Sequence, residues 1–160
     1  MIYLGIDPGK NGGLAWGDGS PGFVFCEKTP ATTGEMVNLL RNIRPDKASL
    51  EQVGGYIGKA QPGSAMFVFG QSFGEFLGSL SALRIEFKLI TPQAWQKALA
   101  LGNSNGLTKT EWKNKLKRRA EELYPKSKIT LATSDAILIY HALVLASQPR
   151  KQKHEDELGF

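Results

Sequence analysis

The 160-residue chain is predicted to be an α/β protein with a mixed five-stranded sheet flanked by helices on both faces. Three observations predict it. The N-terminal stretch reads as short strands separated by Gly, Pro and Asp clusters. Beyond Pro45 the pattern alternates strand with helical period, and near the end AILIYHALVLA is apolar nearly all round, as a helix packed deeply on a sheet must be. A meander followed by crossovers gives antiparallel strands first and parallel ones after.

Taken in order, Ile2, Tyr3, Leu4 and Ile6 form a central strand that ends at Asp7. GGLAWGDG and GFVFCEK are two further strands, and the Gly, Asp, Ser and Pro residues between them make a hairpin. TTGEMVNLLRNIR repeats its apolar residues at helical spacing until Pro45 stops it. KASLEQV is a short strand with Glu51 at its end. The glycine-rich QPGSAMFVFGQSFGEFLGSLSAL begins as a loop and becomes a helix; IEFKLI is a strand, and PQAWQKAL is a short helix started by Pro92. TKTEWKNKLKRRAEEL has Thr108 and Glu111 at capping-box spacing, with Trp112, Leu116, Ala120 and Leu123 as its buried stripe. Thr133 or Ser134 can cap the last helix. Residues 1–148 read as one domain and 149–160 as a flexible, solvated tail whose charges cancel.

Composition narrows the function. With one cysteine, Cys26, no internal disulfide can form, and the N-terminus lacks the regions of a signal peptide, so a cytoplasmic protein is expected. The run from Ala136 to Ala146 is too short for the ~20 residues that cross a bilayer, so no membrane partner is expected. The net charge is +5, and residues 109–128 account for all of it, with eight basic and three acidic residues (8 − 3 = 5).

Three acids stand in otherwise apolar surroundings: Asp7 in LGID, Glu51 in SLEQV and Asp135 in SDAILI. Singly, each has an ordinary explanation, in turn building, a strand-end charge or helix capping. Together, at the ends of three elements, they are the oxygen ligands a hard divalent cation takes. Two such ions can activate water and stabilise the leaving oxygen of a phosphodiester. Cys26, His141 and His154 have no zinc-ligand spacing.

LGIDPG, SLEQV about forty residues later and SDAILIYHAL on the last helix resemble, in order, the RuvC Holliday junction resolvases, especially compact phage-encoded members. The resemblance covers residues 1 to 147 and includes the stretch from Met66 to Leu99. It implies an RNase H-like fold and a homodimeric, Mg²⁺-dependent endonuclease that cuts paired strands across a four-way DNA junction. Asp7, Glu51 and Asp135 would hold two ions per site, with Mn²⁺ able to replace Mg²⁺. Lys109, from its place in LTKTEW, would lie near the scissile phosphate. One departure is Ala132, three residues before Asp135, where the family usually carries a fourth ligand. His141 is no substitute, since six residues along a helix amount to about 240° and about 9 Å from Asp135.

For DNA, Lys109, Lys113 and Lys117 make one stripe of a helix, widened by Lys115, Arg118 and Arg119, as a phosphate backbone requires. Tyr56 and Lys59 lie in the glycine-rich loop after Glu51, where the aromatic ring could wedge at an opened base pair. Two rivals remain. An actin- or sugar-kinase-type ATPase shares the Asp-x-Gly turn but needs two domains and a second phosphate loop, absent here. The other is a junction-binding RNase H-like module that no longer cleaves, with Ala132 as the trace of that loss.

Overall fold

The computed structural model describes residues 1–52 and 63–149. Tyr56, Lys59 and the tail beyond Pro149 lie outside the described residues. The strands β1 (Tyr3–Asp7), β2 (Gly13–Gly17), β3 (Phe25–Lys28), β4 (Lys47–Glu51) and β5 (Glu86–Ile90) form one sheet in the order β3-β2-β1-β4-β5. β1, β2 and β3 are antiparallel to one another in turn; β4 runs parallel to β1, and β5 parallel to β4. The mixed five-stranded sheet and its connectivity agree with the sequence expectation.

Among the described residues five helices, α1 (Thr33–Ile43), α2 (Gly63–Ala82), α3 (Pro92–Ala98), α4 (Lys109–Leu123) and α5 (Ser134–Ser147), cover both faces. Strand alternation sorts the core into two layers. Leu4, Ile6, Leu14, Ala48 and Leu50 pack with Met36 and Leu40 of α1 and Phe76 and Leu80 of α2. On the other face Ala15 joins α5, Trp95 of α3, and Leu116 and Ala120 of α4. α5 is buried from Ser134 to Tyr140, which accounts for its lack of a polar face. Among the described residues no helix is long and apolar enough to cross a membrane.

The helix ends follow their local chemistry. Thr108 and Glu111 close the capping box that starts α4, and Thr32 and Glu35 do the same for α1. α1 stops at Arg44, which takes the left-handed conformation (φ 50) just before Pro45. α5 departs from expectation: neither Thr133 nor Ser134 caps it. Thr133 sits in a helical conformation (φ −105, ψ −15), which turns its hydroxyl back to accept from the Thr130 N–H at 3.0 Å. The Ser134 hydroxyl donates to the Leu131 carbonyl at 3.3 Å.

One glycine sets the height of α5 above the sheet. A Cβ on Gly5 would lie 2.4 Å from the Ala136 carbonyl oxygen and 2.4 Å from the Tyr140 nitrogen, so only a residue without a side chain lets the helix lie directly on β1. The Tyr140 hydroxyl then accepts from the Gly19 N–H at 2.9 Å, tying α5 to the β2–β3 hairpin.

Candidate active site

The parallel register of β1 and β4 pairs Ile6 with Leu50, so Asp7 and Glu51 are the next residues on adjacent strands, about 4.8 Å apart. Because Ile6 and Leu50 face α1 and α2, alternation turns Asp7 and Glu51 to the other face, toward α5. There the first turn of α5 presents Asp135, which is 6% exposed. The structure therefore brings together the three acids singled out from the sequence.

Their electrostatics are those of crowded carboxylates. Burial raises the Asp7 pKa well above the usual carboxylate range, and the charges of Asp135 and Glu51 raise it further, against a lowering by Lys113. Burial, with the Asp135 charge adding, pushes Glu51 up to about 7; the Trp95 hydrogen bond and Lys113 pull it down. That bond runs from the indole N–H to Glu51 Oε2 at 2.7 Å, from a ring that is 1% exposed and so fixed in place. Lys113 Nζ pairs with Asp135 Oδ2. Burial works against the Lys113 charge, but the neighbouring carboxylates, Asp135 foremost, lift its pKa above the ordinary value.

The donor set consists of carboxylate oxygens, with no thiol or imidazole among them, and suits a hard divalent cation. Among the described residues no three acidic, histidine or cysteine side chains stand as a ready-made metal cage. The cation that Asp135 holds is the Lys113 ammonium.

The sequence reading put Lys113 on the phosphate-tracking face of α4; in the structure its ammonium pairs with Asp135. Lys113 lies three residues before Leu116, flanking the buried stripe, and so leans toward α5 rather than into solvent. Of the other basic residues, Lys117 pairs with Glu121 at 3.1 Å, Arg119 with Glu122 at 2.9 Å, and Lys115 lies over the Trp112 ring at 5.4 Å. Lys109 and Arg118 are exposed. The sequence reading did not give Trp95 a part in the site. Ala132 lies half-buried in the turn before α5, its carbonyl against Gly13. His141 Nδ1 is 2.8 Å from the Tyr124 hydroxyl, in a packing role apart from the acids.

A sheet of this order, with three strands in a meander, two added in parallel and acids at the ends of β1, β4 and the last helix, defines an RNase H-like fold. Solved structures that share it are of Holliday junction resolvases. Thermus thermophilus RuvC matches over 91% of this chain and 95% of its own, with 18% identity and a TM-score of 0.62. The same protein in complex with a Holliday junction substrate matches over 91% and 95%, at 15% identity and a TM-score of 0.60. The fowlpox virus resolvase in complex with Holliday junction DNA matches over 90% of this chain and 99% of its own, at 12% identity and a TM-score of 0.52. No protein-family model matches the chain, and no curated protein matches it.

Proposed function

We propose that this protein is a divalent-metal-dependent endonuclease that resolves four-way or otherwise branched DNA junctions by phosphodiester hydrolysis. The observation that carries this reading is the gathering of Asp7, Glu51 and Asp135 on the α5 face of a RuvC-like sheet, with Lys113 among them. The resolvase complexes that share the fold support DNA junctions as the substrate.

The three carboxylates are the residues that would hold Mg²⁺, or Mn²⁺ in its place. Two such ions supply an activated water and charge stabilisation at the leaving oxygen. The chain's own contributions are positional. Trp95 holds the Glu51 carboxylate in one orientation, and the seat of α5 on Gly5 fixes how far Asp135 stands from the strand acids. Lys113 keeps a positive charge at the edge of the acids, where a phosphate oxygen would meet it. Lys109, one turn earlier and exposed, is a further phosphate contact, as is Arg118.

A four-way junction has two-fold symmetry, so the working enzyme is proposed to be an isologous homodimer with one acid set per subunit. The test is incubation of the purified protein with a synthetic four-way junction in millimolar Mg²⁺, alongside Asp7→Asn, with light scattering for mass. Symmetric paired nicks by the parent, and junction binding without nicks by Asp7→Asn, are expected. A parent that binds junctions yet cuts them in neither Mg²⁺ nor Mn²⁺ would make the protein a junction-binding module instead.

A further inference from the structure

A second polar feature adjoins the acids on the far side of the turn after β1. Gly9, at φ +115, donates its N–H to Ser72 Oγ on α2 at 2.9 Å, which docks the turn onto that helix. An added Cβ on Gly9 would meet the Phe69 ring at 2.9 Å, so the approach is close. The next residue, Lys10, opens onto a cleft of about 440 Å³ whose walls include Lys28 and Thr29 from the end of β3 and Gln71, Ser72 and Glu75 from α2.

The cleft is rich in uncommitted donors. Among the described residues neither Lys10 nor Lys28 forms an ion pair, whereas Lys113, Lys117 and Arg119 on α4 do. Among the described residues Thr29 Oγ1 is buried and has no hydrogen-bond partner. Ser72 Oγ accepts from Gly9 and keeps its own proton to donate. One carboxylate opposes this set: Glu75, whose Oε1 accepts from Gln71 Nε2 at 3.1 Å.

We infer that this cleft receives a phosphodiester of the DNA strand next to the one presented to Asp7, Glu51 and Asp135. Two ammonium groups with the Ser72 hydroxyl as a donor beside them suit an anionic tetrahedral group. Glu75 discriminates by charge. It opposes a doubly charged free phosphate more than a singly charged diester. Lys10 stands three residues after Asp7 in the turn that follows β1, and the cleft is walled by α2 whereas the acids face α5, so it is placed for a strand other than the one at the acids. This subsite rests on the nuclease reading proposed above.

The experiment uses the full chain carrying Asp7→Asn, in EDTA, with a fluorescent four-way junction titrated over a range of salt. Lys10→Ala with Lys28→Ala is expected to lower affinity tenfold or more and to reduce the slope of log affinity against log salt by about two units. Glu75→Gln should tighten binding. Lys88→Ala, on the β5 edge outside the cleft, should leave the slope unchanged. If the double variant keeps the parent slope, or loses binding of inorganic phosphate while its junction slope is unchanged, the subsite is not a DNA contact. If the Asp7→Asn protein binds no DNA at all, the nuclease reading fails first.

Discussion

Lys113 reaches from α4 to the first turn of α5 and pairs with Asp135, placing an ammonium at the edge of the three carboxylates. Lys113→Met leaves those carboxylates facing one another. The side chain of Lys113 is 37% exposed, so solvent screening discounts the loss to about 1–2 kcal/mol. In EDTA, Tm should fall by about 2–8 °C. Millimolar Mg²⁺ should restore more stability to the variant than it adds to the parent, because no ammonium then competes for Asp135. Thermal melts of both proteins decide it, and identical melts in EDTA would mean that the pair does not persist in solution.

The pH dependence of stability has a definite sign. Glu51 is raised from 4.5 to about 7 in the fold, so the folded state binds the proton more tightly than the unfolded chain. Stability is therefore lost as pH rises from about 4.5 to about 7, and burial of Asp7 works in the same direction. His141, held below its usual 6.5 by burial and by Arg119, works the opposite way: stability falls as pH drops below 6.5. Comparison with Glu51→Gln cancels the histidine contribution. In EDTA the parent should lose stability relative to Glu51→Gln between pH 5 and 8, and a constant difference would show that Glu51 is not perturbed.

DNA affinity should depend on the basic residues of α4 that remain free. Neutralising Lys109 and Arg118 together, in the Asp7→Asn background, should lower the salt slope by about two units for junctions and duplexes alike. Lys117→Ala should cost less than one unit, since Glu121 already shares its charge. An unchanged slope for the Lys109 and Arg118 double variant would return α4 to ordinary solvated surface.

Ala132 offers a gain-of-function test. Placed in the turn two residues before α5, a carboxylate there would add a fourth oxygen donor, so Ala132→Asp should lower the Mg²⁺ concentration that gives half-maximal cleavage. Rates across a metal titration for parent and variant measure it. An unchanged or higher half-point would place the missing donor elsewhere.

Much of this was legible because it depends on local chemistry. The strand ends at Asp7 and Glu51, the box at Thr108 and Glu111, and the unbroken apolar α5 are each dictated by a few neighbouring residues. The partners of those acids were not legible. Trp95 meets Glu51 across 44 positions, and Lys113 meets Asp135 across 22. Helical spacing places Lys113 with Lys109 and Lys117; only the packing of α4 on α5 shows that it turns inward. Thr133 misled for a related reason, since its side chain suits a cap but its backbone angles do not.

The contact between Gly5 and α5 makes the distance from Asp7 to Asp135 a matter of thickness. Any side chain at position 5 acts as a shim, wedged between strand and helix, and lifts the Asp135 carboxylate away from the two strand acids together with the whole rigid helix. Function can then be lost through a substitution that removes no charge and touches no nucleic acid. The chain should tolerate variation on its α1 and α2 side, where side chains meet side chains and can repack. It should be brittle along the seam where backbone meets backbone.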